Sequence, residues 1–227
     1  MTRALRALSS AYVQRRGTLE SGAALGGRGK RAAFALFYGP LHFTAVHHIV
    51  THLRDREPDF GDATTVVDAG CGTGVAGAAW AMAVTRPPAL LGIDVHPWAA
   101  DEAAWTYRYF GLAGRTMRGD LGRLRVPAGA AIVAGYALNE LAPDTRRSLI
   151  HRAIERGHAM LVVEPIARGI TPWWDEAAQL ILARGGRADD WKAPLAMPER
   201  WRLLDRAAGF RRTHLTARSL WLPASGS

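Results

Sequence analysis

Apolar residues along the chain fall into two alternating patterns. Short unbroken runs at 64–68, Ala89–Asp94, 130–134 and 160–163 carry no charge until an acid or a glycine closes them or follows directly. Runs of that length suit strands covered on both faces, as in a parallel sheet. Between them lie longer stretches with apolar positions every three or four residues. These are 76–83, 97–110 with Ala100, Ala104, Trp105 and Tyr109 inward, and 143–156 with Leu149, Ile150, Ala153 and Ile154 inward. They predict helices. With a short strand at 116–118, the alternation predicts an α/β fold, a mostly parallel sheet flanked by helices.

The two ends of the chain read differently. Residues 1–20 suit a helix with Leu5, Leu8 and Tyr12 on one side, and glycine-rich 21–30 suits a mobile loop that could act as a lid. Two helical pieces, 32–38 and 41–53, are expected to break at Gly39-Pro40, with Phe43, Val46, Val50 and Leu53 as an inward stripe on the second. A polar linker at 57–62 follows. Beyond the fifth strand, Thr171-Pro172 reads as a helix cap and first turn, 185–197 as irregular, and 198–208 as a last helix stopped by Gly209. Residues 211–217 and 219–222 supply closing strands, and 223–227 a disordered tail. The expected organisation is an amino-terminal helical cap over 1–60, a core over 61–222 and that tail.

With 227 residues the chain suits one α/β domain with an extension. No apolar run reaches the roughly 18 residues needed to span a bilayer, and residues 1–16 have no long apolar block. The expectation is a cytoplasmic protein with no membrane partner. Cys71 is the only cysteine, which excludes an internal disulfide and a cysteine-rich zinc site. His42, His47, His48 and His52 invite a metal reading, but no carboxylate or cysteine motif completes a set, and no metal is expected. The formal charge of +9 is uneven: +5 over residues 1–60, −2 over 61–144 and +6 over 145–227. An acidic centre with basic flanks suits a cationic cofactor, with an anionic substrate or RNA approaching the flanks. A solvated arginine-rich surface gives the same sum.

The centre holds the most informative stretch, Val66-Val67-Asp68-Ala69-Gly70-Cys71-Gly72-Thr73-Gly74-Val75: a strand, an acid, a glycine loop and the start of a helix. Such a loop brings bare backbone against a ligand. A dinucleotide would place phosphate charges near Asp68, which repels them, whereas a sulfonium and an ammonium are attracted. Asp68-Ala69-Gly70-Cys71-Gly72-Thr73-Gly74 resembles the first motif of class I S-adenosylmethionine-dependent methyltransferases. The resemblance implies a Rossmann-like, mostly parallel seven-stranded sheet and S-adenosyl-L-methionine as cofactor.

Asp68, Asp94 and Asp120 are each 26 residues apart, one strand-helix unit, so all three fall at the same carboxyl edge of the sheet. Gly70, Gly72 and Gly74 join them as cofactor residues. Asp94 lies about 20 residues past the glycines, where a carboxylate accepts from ribose hydroxyls. By resemblance, Asp120 takes the adenine amino group and Leu121 packs beside the ring; capping a turn is the alternative for Asp120. The resemblance also places Tyr38 and His42 near the pocket, as part of an amino-terminal helix that closes it. On the acceptor side stand Asn139, as a substrate hydrogen-bonding group, and Glu140, as a general base or a cap of the next turn. Trp173 is a further substrate candidate, with core packing as its alternative.

Val67 to Gly74, Ala134 to Leu141 (Ala-Gly-Tyr-Ala-Leu-Asn-Glu-Leu) and Leu161 to Pro165 (Leu-Val-Val-Glu-Pro) are together similar to the ribosomal small-subunit methyltransferase-like family. Relatives there carry a cysteine cluster that this chain lacks over 184–198. The Asp/Asn-Pro-Pro-aromatic motif of exocyclic-amine enzymes and the Pro-Cys nucleophile of cytosine-5 enzymes are also absent. Three readings follow: a methyltransferase for a small or medium-sized metabolite, an RNA- or ribosome-directed methyltransferase, and a non-catalytic ribosome-assembly factor that binds the cofactor.

Overall fold

Every run that the pattern marks as a doubly covered strand is one, within a residue of the expected ends. In the computed structural model, which describes Arg3, residues 26–57 and residues 60–225, these are β1 (Thr65–Ala69), β2 (Ala89–Asp94), β4 (Ala131–Gly135) and β5 (Met160–Glu164). Between the second and fourth lies β3 (Gly114–Arg118), and the chain ends with β6 (Arg187–Pro194) and β7 (His214–Leu222). The expected 1–20 helix apart from Arg3, residues 21–25 of the expected 21–30 loop, part of the 57–62 linker and the end of the tail lie outside the described residues; residues 28–30 of that loop are helical, within Arg28–Ala33.

The sheet has the order β3-β2-β1-β4-β5-β7-β6. All pairs up to β5 are parallel, and β7 runs antiparallel between β5 and β6. Because alternate residues of a strand face opposite sides, Val66, Val133, Leu161 and Val163 join one apolar cluster and Val67, Ile132, Ala134 and Val162 the other. The first cluster is completed by helices α2 (Gly39–Arg54), α3 (Val75–Ala83) and α4 (Pro97–Tyr109). The second is completed by α5 (Pro143–Glu155) and α6 (Trp174–Leu182). A third cluster joins α1 (Arg28–Ala33), Phe34, Phe37 and Tyr38 to the neighbourhood of α7 (Glu199–Ala207).

Five expectations are corrected. The inward side expected of 97–110 is turned: Trp105 and Tyr109 are exposed, and Ala99, Ala100, Ala103, Thr106 and Tyr107 are buried. Gly39-Pro40 does not break the helix: a π-helical turn, Phe34–Tyr38, joins α1 to α2, and the Gly39 N–H donates to the Phe34 carbonyl five residues back. Proline has no N–H to give and would clash with the carbonyl four back in a regular helix; the wider turn removes that conflict. The irregular 185–197 contains β6, an edge strand whose Arg187, Asp189 and Asp190 hide it in the sequence. Its anchor is Trp191, buried, with Nε1 donating to Ser219 Oγ at 2.8 Å. The two closing strands are one strand, β7, because Arg218 does not interrupt it. The Arg218 guanidinium lies 4.4 Å from the Trp174 ring centre and its Nε donates toward Asp190. Helix α6 begins at Trp174, not at Thr171: the Trp174 N–H donates to the Thr171 carbonyl in a preceding turn.

Candidate functional site

Strand β1 ends at Ala69, and the chain turns through a glycine loop into α3. Gly70 has φ +71°, and a Cβ there would lie 2.6 Å from Ala137 Cβ; Gly74 has φ +76° and would meet Ala103 Cα at 2.8 Å. Both positions admit only glycine without strain. Asp68 stands behind this loop, fully buried, with Oδ2 accepting from the Gly77 N–H and the Tyr107 hydroxyl, each at 2.9 Å. Burial pushes its carboxyl up to about 7 against those two hydrogen bonds. Its work is to fasten α3 and α4 to the strand tip, and it does not line the cavity in front of the loop.

That cavity, of about 320 Å³, is where the other expected cofactor residues meet. Gly70, Gly72, Asp94, Asp120, Leu121 and Glu140 all line it, under a roof of Phe34 and His42. Gly74 forms the far end of the loop. Asp94, at the tip of β2, accepts from the Gly72 N–H at 3.0 Å and the His96 N–H at 2.8 Å. An ionised carboxylate retains lone pairs for two further donors. Burial pushes the Asp94 carboxyl upward. Asp120 accepts from the Gly122 N–H at 2.8 Å, capping the turn Leu121–Arg123. The cap and the cavity wall are therefore the same residue. Among the lining residues there are three carboxylates and neither lysine nor arginine. Buried in the same wall, Thr73 Oγ1 and His96 Nδ1 have no partner.

A second cavity, of about 260 Å³, lies on the other side of His42 and Tyr136. These two rings form the wall that both cavities share, stacked with centres 3.8 Å apart and planes 12° from parallel. Tyr136 is the one non-glycine residue at positive φ among the described residues, at +60°. That strain marks a position the surroundings enforce. Burial, helped by the Arg212 charge, drives His42 down to about 3, so its ring is neutral. Tyr38, Asn139, Ile166 and Arg212 line the far side. Asn139 is held by Glu164 at the tip of β5: its N–H donates to Oε1 at 3.1 Å and its Nδ2 to Oε2 at 2.6 Å. Burial pushes Glu164 up to about 8. Glu140 is also pushed up to about 8, by burial first and then by Glu164 and Asp94.

A cavity at the carboxyl edge, beside the point where strand order reverses between β1 and β4, together with the antiparallel β7, decides the architecture. The chain has the class I methyltransferase fold. The plantazolicin methyltransferase BpumL, solved in complex with SAH, superposes with a TM-score of 0.56 at 10% identity, over 96% of this chain and 95% of that one. The mitomycin 7-O-methyltransferase MmcR gives 0.54 at 17% identity, over 96% of this chain and 60% of that one. PH1948 from Pyrococcus horikoshii, described as a candidate RNA methyltransferase, gives 0.52 at 12% identity over 81% and 84%. No protein-family model and no curated protein matches the chain.

Within this methyltransferase fold some expected residues fall elsewhere. Trp173 lines neither cavity; it lies under the Arg146 guanidinium, 4.8 Å from the ring centre, on the outer side of α5. The His48 and His52 ring centres lie 4.1 Å apart with planes tilted by 49°, both rings edge onto Trp191, and no group of three metal-ligating side chains occurs among the described residues. No helix among them is long and apolar enough to cross a membrane. Sequence reasoning missed Tyr107, Tyr136, Glu164 and Arg212. For Tyr136 and Glu164 a signal existed, since each follows or ends an apolar strand at the ligand edge. Arg212 gave none.

Proposed function

We propose that the chain is an S-adenosyl-L-methionine-dependent methyltransferase acting on a small or medium-sized metabolite. The observation that carries this is the first cavity, which presents Asp94, Asp120 and Glu140 and neither lysine nor arginine. Glu140 is protonated near neutral pH, so a pyrophosphate would meet the carboxylates of Asp94 and Asp120 with no lysine or arginine to neutralise it; a nucleoside bearing a sulfonium and an ammonium meets counter-charge. Gly72 fits such a ligand too, because bare backbone faces the cavity beneath the Phe34 ring.

When bound, S-adenosylmethionine supplies a methyl group already activated by its sulfonium. Asp94 would hold the ribose hydroxyls, Asp120 the adenine amino group, and Leu121 the face of the ring. Asp68 acts one layer back, keeping the glycine loop at the tip of β1. His42 and Tyr136 stand where this site meets the second cavity, which would receive the acceptor and exclude water from it. Asn139 would align the acceptor by hydrogen bonding, with its amide oriented by Glu164, and Tyr38 closes the same cavity from the amino-terminal helix. Glu140, whose carboxyl is pushed up to about 8, keeps its proton at neutral pH and would take one from an acceptor only above that range. Alignment in a dry site is the main contribution. Calorimetric titration tests this: S-adenosylmethionine and S-adenosylhomocysteine should bind and NAD should not, and the reverse order would end the proposal.

One observation favours the RNA-directed reading. Arg123, Arg125, Arg152 and Arg156 line a groove beside α5, and none of the four forms an ion pair among the described residues. RNA affinity falling steeply with salt would support it. Methyl transfer to bulk RNA would then separate an enzyme from a non-catalytic assembly factor.

A further inference from the structure

The two cavities on either side of the His42–Tyr136 wall are opposite in charge. The first has carboxyl side chains and neither lysine nor arginine; the second has Arg212 and no carboxyl side chain. Arg212 is fixed from behind. Its Nη1 donates to Asp205 Oδ1 at 2.7 Å, its backbone N–H donates to Asp205 Oδ2 at 2.9 Å, and its guanidinium carbon lies 3.7 Å from the Phe210 ring centre. Asp205 is 2% exposed and does not line the cavity, so the guanidinium is the charge a ligand meets first. The rest of the lining is mostly apolar: Leu41, Pro165, Ile166, Ile170 and Leu215. An apolar cavity of about 150 Å³ holds one benzene, so 260 Å³ admits a substituted ring and little more.

We infer that the second cavity binds the methyl acceptor as an oxyanion, a carboxylate or an ionised phenol on a compact apolar body, with Arg212 as its counter-charge. This rests on the methyltransferase reading above. In the transfer the acceptor oxygen reaches the methyl past the edges of the His42 and Tyr136 rings, which line both cavities, and one of its lone pairs forms the O–CH₃ bond while the S–CH₃ bond breaks and its pair stays on sulfur. An anion and a sulfonium give a neutral ether or ester and a neutral thioether. No proton is released, which suits a wall whose histidine, driven down to about 3, cannot accept one at neutral pH. Taking both charges out of water favours this step, because charge is dispersed in the transition state and lost in the products, so the reactants lose more solvation than the transition state does.

The test uses the full chain saturated with S-adenosylhomocysteine and probes of one ring size: benzoate, 4-nitrophenolate, benzyl alcohol and benzylamine, followed by saturation-transfer NMR. Benzoate and 4-nitrophenolate should bind and benzylamine should not. Arg212→Gln should weaken benzoate by about tenfold or more, the worth of one charged hydrogen bond, with S-adenosylhomocysteine affinity unchanged. Ile166→Trp, which leaves the Arg212–Asp205 pair in place, should expel benzoate and retain S-adenosylhomocysteine. Benzylamine binding as well as benzoate, or benzoate undiminished in either variant, would overturn the inference alone. Failure of the wild-type chain to bind S-adenosylhomocysteine would overturn the methyltransferase reading and this inference with it.

Discussion

The first cavity and the second share a wall and differ in almost everything else. The first is built from strand tips and a glycine loop, elements whose position follows from the sheet, and its charge is negative. The second is assembled from the amino-terminal helix, the segment after β5 and the start of β7, and its charge is positive. A site built on the recurring edge of a fold is legible from spacing. One assembled from distant segments has to be seen folded. On the function proposed above, the difference also divides the chemistry: one side would take the cationic methyl donor and the other its acceptor, the two meeting at the His42 and Tyr136 rings.

The largest effect that could break this division is at Asp94. Asp94→Ala should lower S-adenosylmethionine affinity on the order of tenfold to a hundredfold, through loss of charged hydrogen bonds, with the circular dichroism spectrum unchanged. Unaltered affinity in calorimetry would remove Asp94 from the site. Next comes Gly70, on the floor of the first cavity. Gly70→Ala combines a positive φ with a Cβ 2.6 Å from Ala137 Cβ and should cost roughly 1–3 kcal/mol of stability, read by denaturant unfolding. A neutral result would mean that the loop can move away from Ala137.

A smaller effect comes from pH. Glu140 and Glu164 hold protons in the folded chain up to about pH 8, whereas they lose them from 4.5 upward when unfolded. The folded state therefore binds more protons, and stability falls as pH rises. His42, driven down from 6.5 to about 3, acts in the opposite sense below pH 6.5. Between pH 6.5 and 8 the raised carboxyls dominate, Asp68 among them at about 7, so the unfolding free energy should decline there, and Glu164→Gln should make the decline shallower. A rising curve would contradict the burial assigned to this pair. The smallest effect is at Asp68. Asp68→Asn should change S-adenosylmethionine affinity by less than the roughly tenfold of one charged contact, because its carboxyl faces Gly77 and Tyr107 and not the ligand.

Most of the sheet could be read in advance because its strands are buried on both faces, and continuous apolar runs have few other uses. β6 escaped because an edge strand needs only one partner and tolerates Arg187 and Asp189 facing each other at 2.9 Å. The π turn at Phe34–Tyr38 escaped because proline ordinarily ends a helix, and no local signal announces the wider turn that accommodates it. In the site, the 26-residue spacing brought Asp94 and Asp120 to one cavity but could not tell that Asp68 turns its carboxylate inward. That depends on Tyr107, which is 39 residues away in sequence. Tyr136 and Arg212 meet His42 only through tertiary structure, so the second cavity remained invisible while three of its residues, Tyr38, His42 and Asn139, did not.

The most direct test is a crystal structure of the chain with S-adenosylhomocysteine. The account predicts the ribose hydroxyls on Asp94, the adenine between Asp120 and Leu121, and the sulfur directed at the His42–Tyr136 wall. A nucleoside bound away from Asp94, or with its sulfur facing solvent instead of that wall, would contradict it.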